Sequence, residues 1–142
     1  MIEGTNNVFI GYTAAQGENS IAYTGNVGIG DSALYEASGG NHNIAIGWQA
    51  MYGSAGNSTG GTNVAIGTSA MLDYTTAHDN VAIGYQAMSS GVQGDYSVAV
   101  GQNSLYNNTG DGNTAIGENA LFANTSGTNN TAIGRGALDV NT

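Results

Sequence analysis

Apolar residues fall in short bursts along this chain, and every burst sits in the same polar frame. The clearest copy is Asn63-Val64-Ala65-Ile66-Gly67, followed by two variable residues and then Ala70-Met71. Stated generally, the pattern is Asn, a β-branched residue, a small residue, Ile or Val, Gly, two free positions, Ala, and Leu or Met. Copies centre on Gly11, Gly30, Gly47, Gly67, Gly84, Gly101, Gly117 and Gly134, in steps of 19, 17, 20, 17, 17, 16 and 17 residues. Such a period is the mark of a solenoid, in which each coil contacts only its neighbours.

Within a burst, Val64 and Ile66 lie two residues apart and point to one face of a strand, with Ala65 opposite. The pattern predicts that these Val/Ile pairs form the inward face. Stacked about 4.8 Å apart, Ile46, Ile66, Ile83, Ile116 and Ile133 would then make a continuous internal ladder. The small position, Phe9, Gly28 and then Ala six times, is expected to let a neighbouring backbone pass close by. Gly at the strand end reads as a corner needing positive φ or the absence of a Cβ. The following Ala and Leu or Met read as a second short strand, one residue entering the coil and the other seeking a partner on another chain.

Asn opens seven of the eight copies, including Asn43, Asn63, Asn80, Asn113 and Asn130, with Ser97 in the remaining one. A recurring corner amide predicts a structural ladder of stacked side chains or Asx turns. The connectors are polar and vary in length, as loops on an outer face do. Residues 1–25 read as an irregular first coil and possible cap, and residues 26–142 as regular β-roll repeats forming one continuous solenoid. The end at Asp139-Val140-Asn141-Thr142 reads as a cut within a longer fibre.

Composition sharpens this picture. Leu, Ile, Val and Phe make up less than a fifth of the 142 residues, and the net charge is −9; without the repeat, both would indicate disorder. There is no proline and no strict Gly triplet, which excludes collagen. With no cysteine, neither a disulfide nor a thiolate metal site is available. One basic residue, Arg135, against ten acidic ones argues against nucleic acid and against anionic membrane surfaces. No window approaches the roughly 20 apolar residues of a membrane span, so no membrane insertion is expected.

Two ladders of medium-sized residues per coil bury little against roughly 1–2 kcal/mol of backbone entropy per residue. This predicts association, with the Leu/Met ladder packed against sister chains in a closed threefold ring. Independently, Asn63-Val64-Ala65-Ile66-Gly67, Asn80-Val81-Ala82-Ile83-Gly84 and Asn113-Thr114-Ala115-Ile116-Gly117 resemble the head repeats of trimeric autotransporter adhesins. They are more similar still to repeats in tail-fibre and tail-spike proteins of bacterial viruses. The resemblance runs from Asn7 to Leu138. It implies an all-β fold, a left-handed parallel β-roll or solenoid of about eight coils, assembled as an intertwined or side-by-side homotrimer. It also implies a virion appendage that attaches to host surface polysaccharide, or packs on other virion proteins. The bacterial cell surface is the alternative location.

Functional chemistry is sought where the copies differ. The residue after the corner Gly runs Tyr12, Asp31, Trp48, Thr68, Tyr85, Gln102, Glu118, Arg135. Tyr12, Trp48 and Tyr85 fall on alternate coils, a discontinuous strip suited to stacking on sugar faces, with Asp31, Gln49 and Gln86 offering hydrogen bonds. The competing reading is that these aromatics cover sheet edges or touch another chain. Tyr35, Tyr52, Tyr106 and Phe122 follow the Leu/Met position and read as interchain packing. His42 and His78 lack a matching carboxylate or thiol row, and no acidic position recurs as a calcium roll requires, so neither metal nor cofactor is expected. The pairs Asp73 with Asp79 and Asp111 with Glu118 have no feature that marks a glycosidase, and no enzymatic activity is expected. A mechanical spacer or capsid decoration, a bacterial adhesin head and a polysaccharide depolymerase are the rival functions.

Overall fold

The computed structural model describes residues 4–16, 24–36, 39–53, 58–90 and 93–141. Parts of the expected first coil and cap, residues 1–3 and 17–23, lie outside the described residues, as do residues 54–57 of the longest connector. Seven three-residue strands, β1 (Val8–Ile10), β2 (Val27–Ile29), β3 (Ile44–Ile46), β4 (Val64–Ile66), β5 (Val81–Ile83), β6 (Val98–Val100) and β7 (Thr114–Ile116), are followed by β8 (Ala123–Asn124), β9 (Thr131–Ile133) and β10 (Val140–Asn141). Strands β1 to β7 and β9 form one eight-stranded parallel sheet in chain order. Strands β8 and β10 pair separately, also in parallel. The protein is an all-β solenoid.

Register is constant despite steps of 16 to 20 residues. Val64 pairs with Val81, Ala65 with Ala82 and Ile66 with Ile83, and the same three columns run through every pairing. Length differences are therefore absorbed entirely in the connectors.

The inside and outside of the strand are the reverse of the sequence expectation. Ala45, Ala65, Ala82, Ala99 and Ala115 are fully buried. Ile46 is half-buried, whereas Ile66, Ile83, Ile116 and Ile133 are exposed at 36, 37, 40 and 69 %. The ladder of Ile46, Ile66, Ile83, Ile116 and Ile133 exists, but on the outer face. The cause lies across the coil. Leu34, Met51, Met71, Met88, Leu105 and Leu121 turn inward and are 0–1 % exposed. They fill the interior so closely that a Cβ on Gly28 would stand 3.3 Å from Leu34 Cδ1. A strand facing Leu or Met can present a methyl group and no more; in the first coil, where Ala15 takes that place in the row, Phe9 packs against the core instead.

The segment after the corner Gly is not the predicted strand. It is a run of turns with φ near +50° at the second and fourth residues, for example Ser69 (54°) and Met71 (50°). The Ala70 N–H donates to Gly67 O (3.3 Å), closing a turn whose third residue has positive φ, as in type II. Left-handed backbone costs roughly 1–2 kcal/mol at a residue with a Cβ. Here it is offset by bonds to both neighbouring coils: Ser69 N–H to Trp48 O (2.9 Å) and Met71 N–H to Ala87 O (2.9 Å). This geometry swings Leu and Met into the chain's own core, so their predicted role against sister chains is replaced by an intrachain one. Tyr35 and Tyr52 likewise stack on each other coil to coil (centroids 4.9 Å), as do Tyr106 and Phe122 (5.1 Å).

The corner glycines stack directly. From Gly11 to Gly117 their φ lies at 130–142°, and a Cβ on any of them would come within 3.0 Å of the next corner's backbone. No other residue satisfies both conditions.

Candidate functional site

The variable residue after each Gly reaches solvent in every coil: Tyr12, Asp31, Trp48, Tyr85, Gln102 and Arg135 are exposed, and Thr68 and Glu118 are half-buried. Backbone bonds tie these positions into one row: Ser32 N–H to Tyr12 O, Gln49 N–H to Asp31 O, Ser69 N–H to Trp48 O, Gln86 N–H to Thr68 O and Asn103 N–H to Tyr85 O, at 2.9–3.0 Å. Tyr12, Trp48 and Tyr85 thus stand on every second coil of an unbroken stack. They are 80, 51 and 49 % exposed. Between them lie Asp31 and Thr68, and Gln102 follows. Asp31 is held in place: Ser32 Oγ donates to its Oδ1 (2.7 Å), and Thr13 Oγ1 lies 3.0 Å from Ser32 Oγ. At the far end Arg135 pairs with Glu118 (3.3 Å), so the chain's single basic side chain faces a carboxylate.

The Asn column lies at another corner. Asn43 Oδ1 accepts from the Asn63 N–H (2.9 Å), Asn63 Oδ1 from the Asn80 N–H (2.9 Å) and Asn113 Oδ1 from the Asn130 N–H (2.9 Å). The amide nitrogens reach sideways into connectors, Asn43 Nδ2 to Gly60 O (3.1 Å), Asn63 Nδ2 to Ala77 O (2.8 Å) and Asn113 Nδ2 to Gly127 O (2.7 Å). Each side chain binds one coil to the next and one connector to its coil. At the exception, Ser97 Oγ accepts from the Asn113 N–H (3.1 Å), and the buried Nδ2 of the preceding Asn80 has no partner.

A second column escaped the sequence reading. Two residues before the motif Asn, Asn41 Oδ1 accepts from the Thr24 N–H, His78 Nδ1 from the Gly61 N–H, Asp95 Oδ1 from the His78 N–H and Asp111 Oδ1 from the Asp95 N–H, at 2.8–3.1 Å. It runs opposite to the Asn column, from the later coil back to the earlier. The available signal was chemical rather than literal: three residue types, Asn, His and Asp, share only a side-chain acceptor. These bonds give His78, Asp95 and Asp111 structural employment, and among the described residues no three His, Cys, Asp or Glu side chains are grouped to hold a metal ion.

Tyr74 is the one large aromatic side chain fully buried among the described residues. Its hydroxyl donates to Gly60 O and accepts from Asn43 Nδ2 (3.3 Å), while Ser58 Oγ donates to Tyr74 O (2.7 Å). Burial pushes this phenol well above the usual tyrosine range, with the Asn43 bond acting weakly the other way. Tyr52 is also raised, first by burial and then by Tyr35 and Glu36. A shallow groove of about 310 Å³ lies between Asn103, Asn119, Phe122, Asp139 and Val140. It includes none of Tyr12, Trp48 and Tyr85.

No protein-family model matches this chain, and neither the curated proteins nor the solved structures include a significant match. No helix among the described residues is long and apolar enough to cross a membrane.

Proposed function

We propose that this chain is a non-catalytic structural and adhesive segment of a viral fibre, assembled as a homotrimer and attached to host surface glycan. The observation that carries the assembly is the bare outer face of the parallel sheet. Parallel sheets are normally covered on both faces. Here the inner face packs on the Leu/Met row, while the outer one presents Val and Ile from coil after coil, with Ile66, Ile83 and Ile116 exposed at 36–40 %. Contiguous apolar surface of this kind marks an interface. A side-by-side ring of three copies covers it and closes, which keeps the rod from polymerising.

The repeated Asn-Val-Ala-Ile-Gly motif supports a fibre, as does the acidic surface of a rod that must stay soluble. The exposed row of Tyr12, Trp48 and Tyr85 supports glycan contact. Sizing by light scattering tests the assembly: three chains per particle are expected, and Ile66→Lys with Ile83→Lys should give a folded monomer. A monomeric wild-type chain at micromolar concentration removes the trimer and the fibre reading with it. A glycan array tests adhesion. Silence of the wild-type trimer, with host adsorption unaffected by Trp48→Ala and Tyr85→Ala, would leave a mechanical spacer or decoration as the function.

A further inference from the structure

We infer that the row after the corner glycines binds a neutral, extended β-linked polysaccharide lying along the solenoid axis, with two sugar rings per two coils. This rests on the adhesive reading of that row. Repeat length selects the ligand. Successive coils are about 4.8 Å apart, so aromatics on alternate coils recur about every 10 Å. In an extended β-1,4-linked chain each ring is turned over relative to the last, and the same face returns every second ring at close to that distance. Tyr12, Trp48 and Tyr85 can therefore meet the same face of rings one, three and five. The intervening rings lie over Asp31 and Thr68, whose oxygens suit equatorial hydroxyls.

Charge narrows the ligand. Asp31 sits within the strip, fixed by Ser32, and the row's single cation, Arg135, is paired with Glu118 three coils beyond Tyr85. Nothing in the strip compensates a uronate or sialate, so an anionic polymer meets repulsion at Asp31. A helical α-linked glucan does not present one face at a constant rise and loses register after the first aromatic.

Trp48 is the chain's only tryptophan and lies at the strip's centre, so its fluorescence reports the site directly. The intact chain is titrated with cello-oligosaccharides of two to six rings, with maltohexaose and with polygalacturonate. The dissociation constant should fall about two- to tenfold from two rings to three, when a second aromatic is reached, and again by a similar factor on reaching five. Tyr85→Ala, an exposed change that circular dichroism should show to be folded, removes the second step and leaves the first. Equal affinity for two and five rings overturns the axial register. A response to maltohexaose or polygalacturonate alone also overturns it, while adhesion by this row survives. No change in Trp48 emission or in its quenching by acrylamide with any of the three overturns the register and the row's adhesive role together.

Discussion

Asn63 Oδ1 accepts the backbone N–H of Asn80 at 2.9 Å while its Nδ2 donates to Ala77 O at 2.8 Å. One fully buried side chain thus joins its own coil to the next coil and to the connector leading there. Removing it orphans a donor and an acceptor in a dry interior, each costing about 1–3 kcal/mol. Asn63→Ala should lower the stability measured by urea denaturation by about 2–5 kcal/mol. The same change at Asn130, half-buried in the last coil, should cost distinctly less. Equal costs at the two positions would show that the column's energy does not come from burial.

The reversed strand faces give opposite outcomes for adjacent residues. Ala82→Ile places three extra carbons against the Leu/Met row and should destabilise by about 1–3 kcal/mol or more through overpacking. Val81→Ala, on the half-buried outer face, should leave the folded chain near wild-type stability when it is measured as a monomer. Truncating the row itself, as in Met71→Ala, should cost about 2–5 kcal/mol. Thermal unfolding of the three variants ranks them, and a cost for Val81→Ala above that for Ala82→Ile contradicts the burial described here.

Gly67→Ala should prevent folding or shift the melting temperature steeply downward. Its φ of 133° is hostile to any Cβ, and that Cβ would lie 2.6 Å from Gly84 O. Gly136→Ala is the control, with φ 64° but open space around its Cβ, and should cost only about 1–2 kcal/mol.

Tyr74 ties stability to alkaline pH. Its phenol is neutral and buried, so its folded value lies above the unfolded value of 10.0. The stabilisation is fully present below pH 10 and is lost as pH rises from there toward the folded value. The urea midpoint should fall above pH 10, and Tyr74→Phe should flatten that fall. At pH 7 the Phe variant should be less stable by about 0.5–1.5 kcal/mol, because the bond from the phenol to Gly60 O is lost while Asn43 Nδ2 still donates to that oxygen. A Phe variant with an unchanged alkaline limb would assign the loss to other tyrosines.

The repeat, the parallel stacking and the register were legible because Val, Ala and Ile return in one order before a Gly that nothing else can replace. Which face was buried was not. A period of two fixes that Ala65 and Ile66 point oppositely, yet it says nothing about which side holds the core. In a coil this thin the Met71 row takes the available volume and leaves the strand room for a methyl. Nor do Leu and Met announce a turn; their left-handed φ is imposed by bonds to the coils on either side. The aromatic row was legible by its place after Gly67 and its equivalents. The column of Asn41, His78, Asp95 and Asp111 was hidden by its chemical variety.

Because the three strand columns keep the same register whether the step is 20 residues, as from Gly47 to Gly67, or 16, as from Gly101 to Gly117, the coil is an interchangeable unit. Adding or removing one copy moves the two ends of the rod by about 4.8 Å and requires no new contact type. A lineage carrying this sequence can therefore change the reach of the rod by duplication or deletion of a copy, without redesigning its interior.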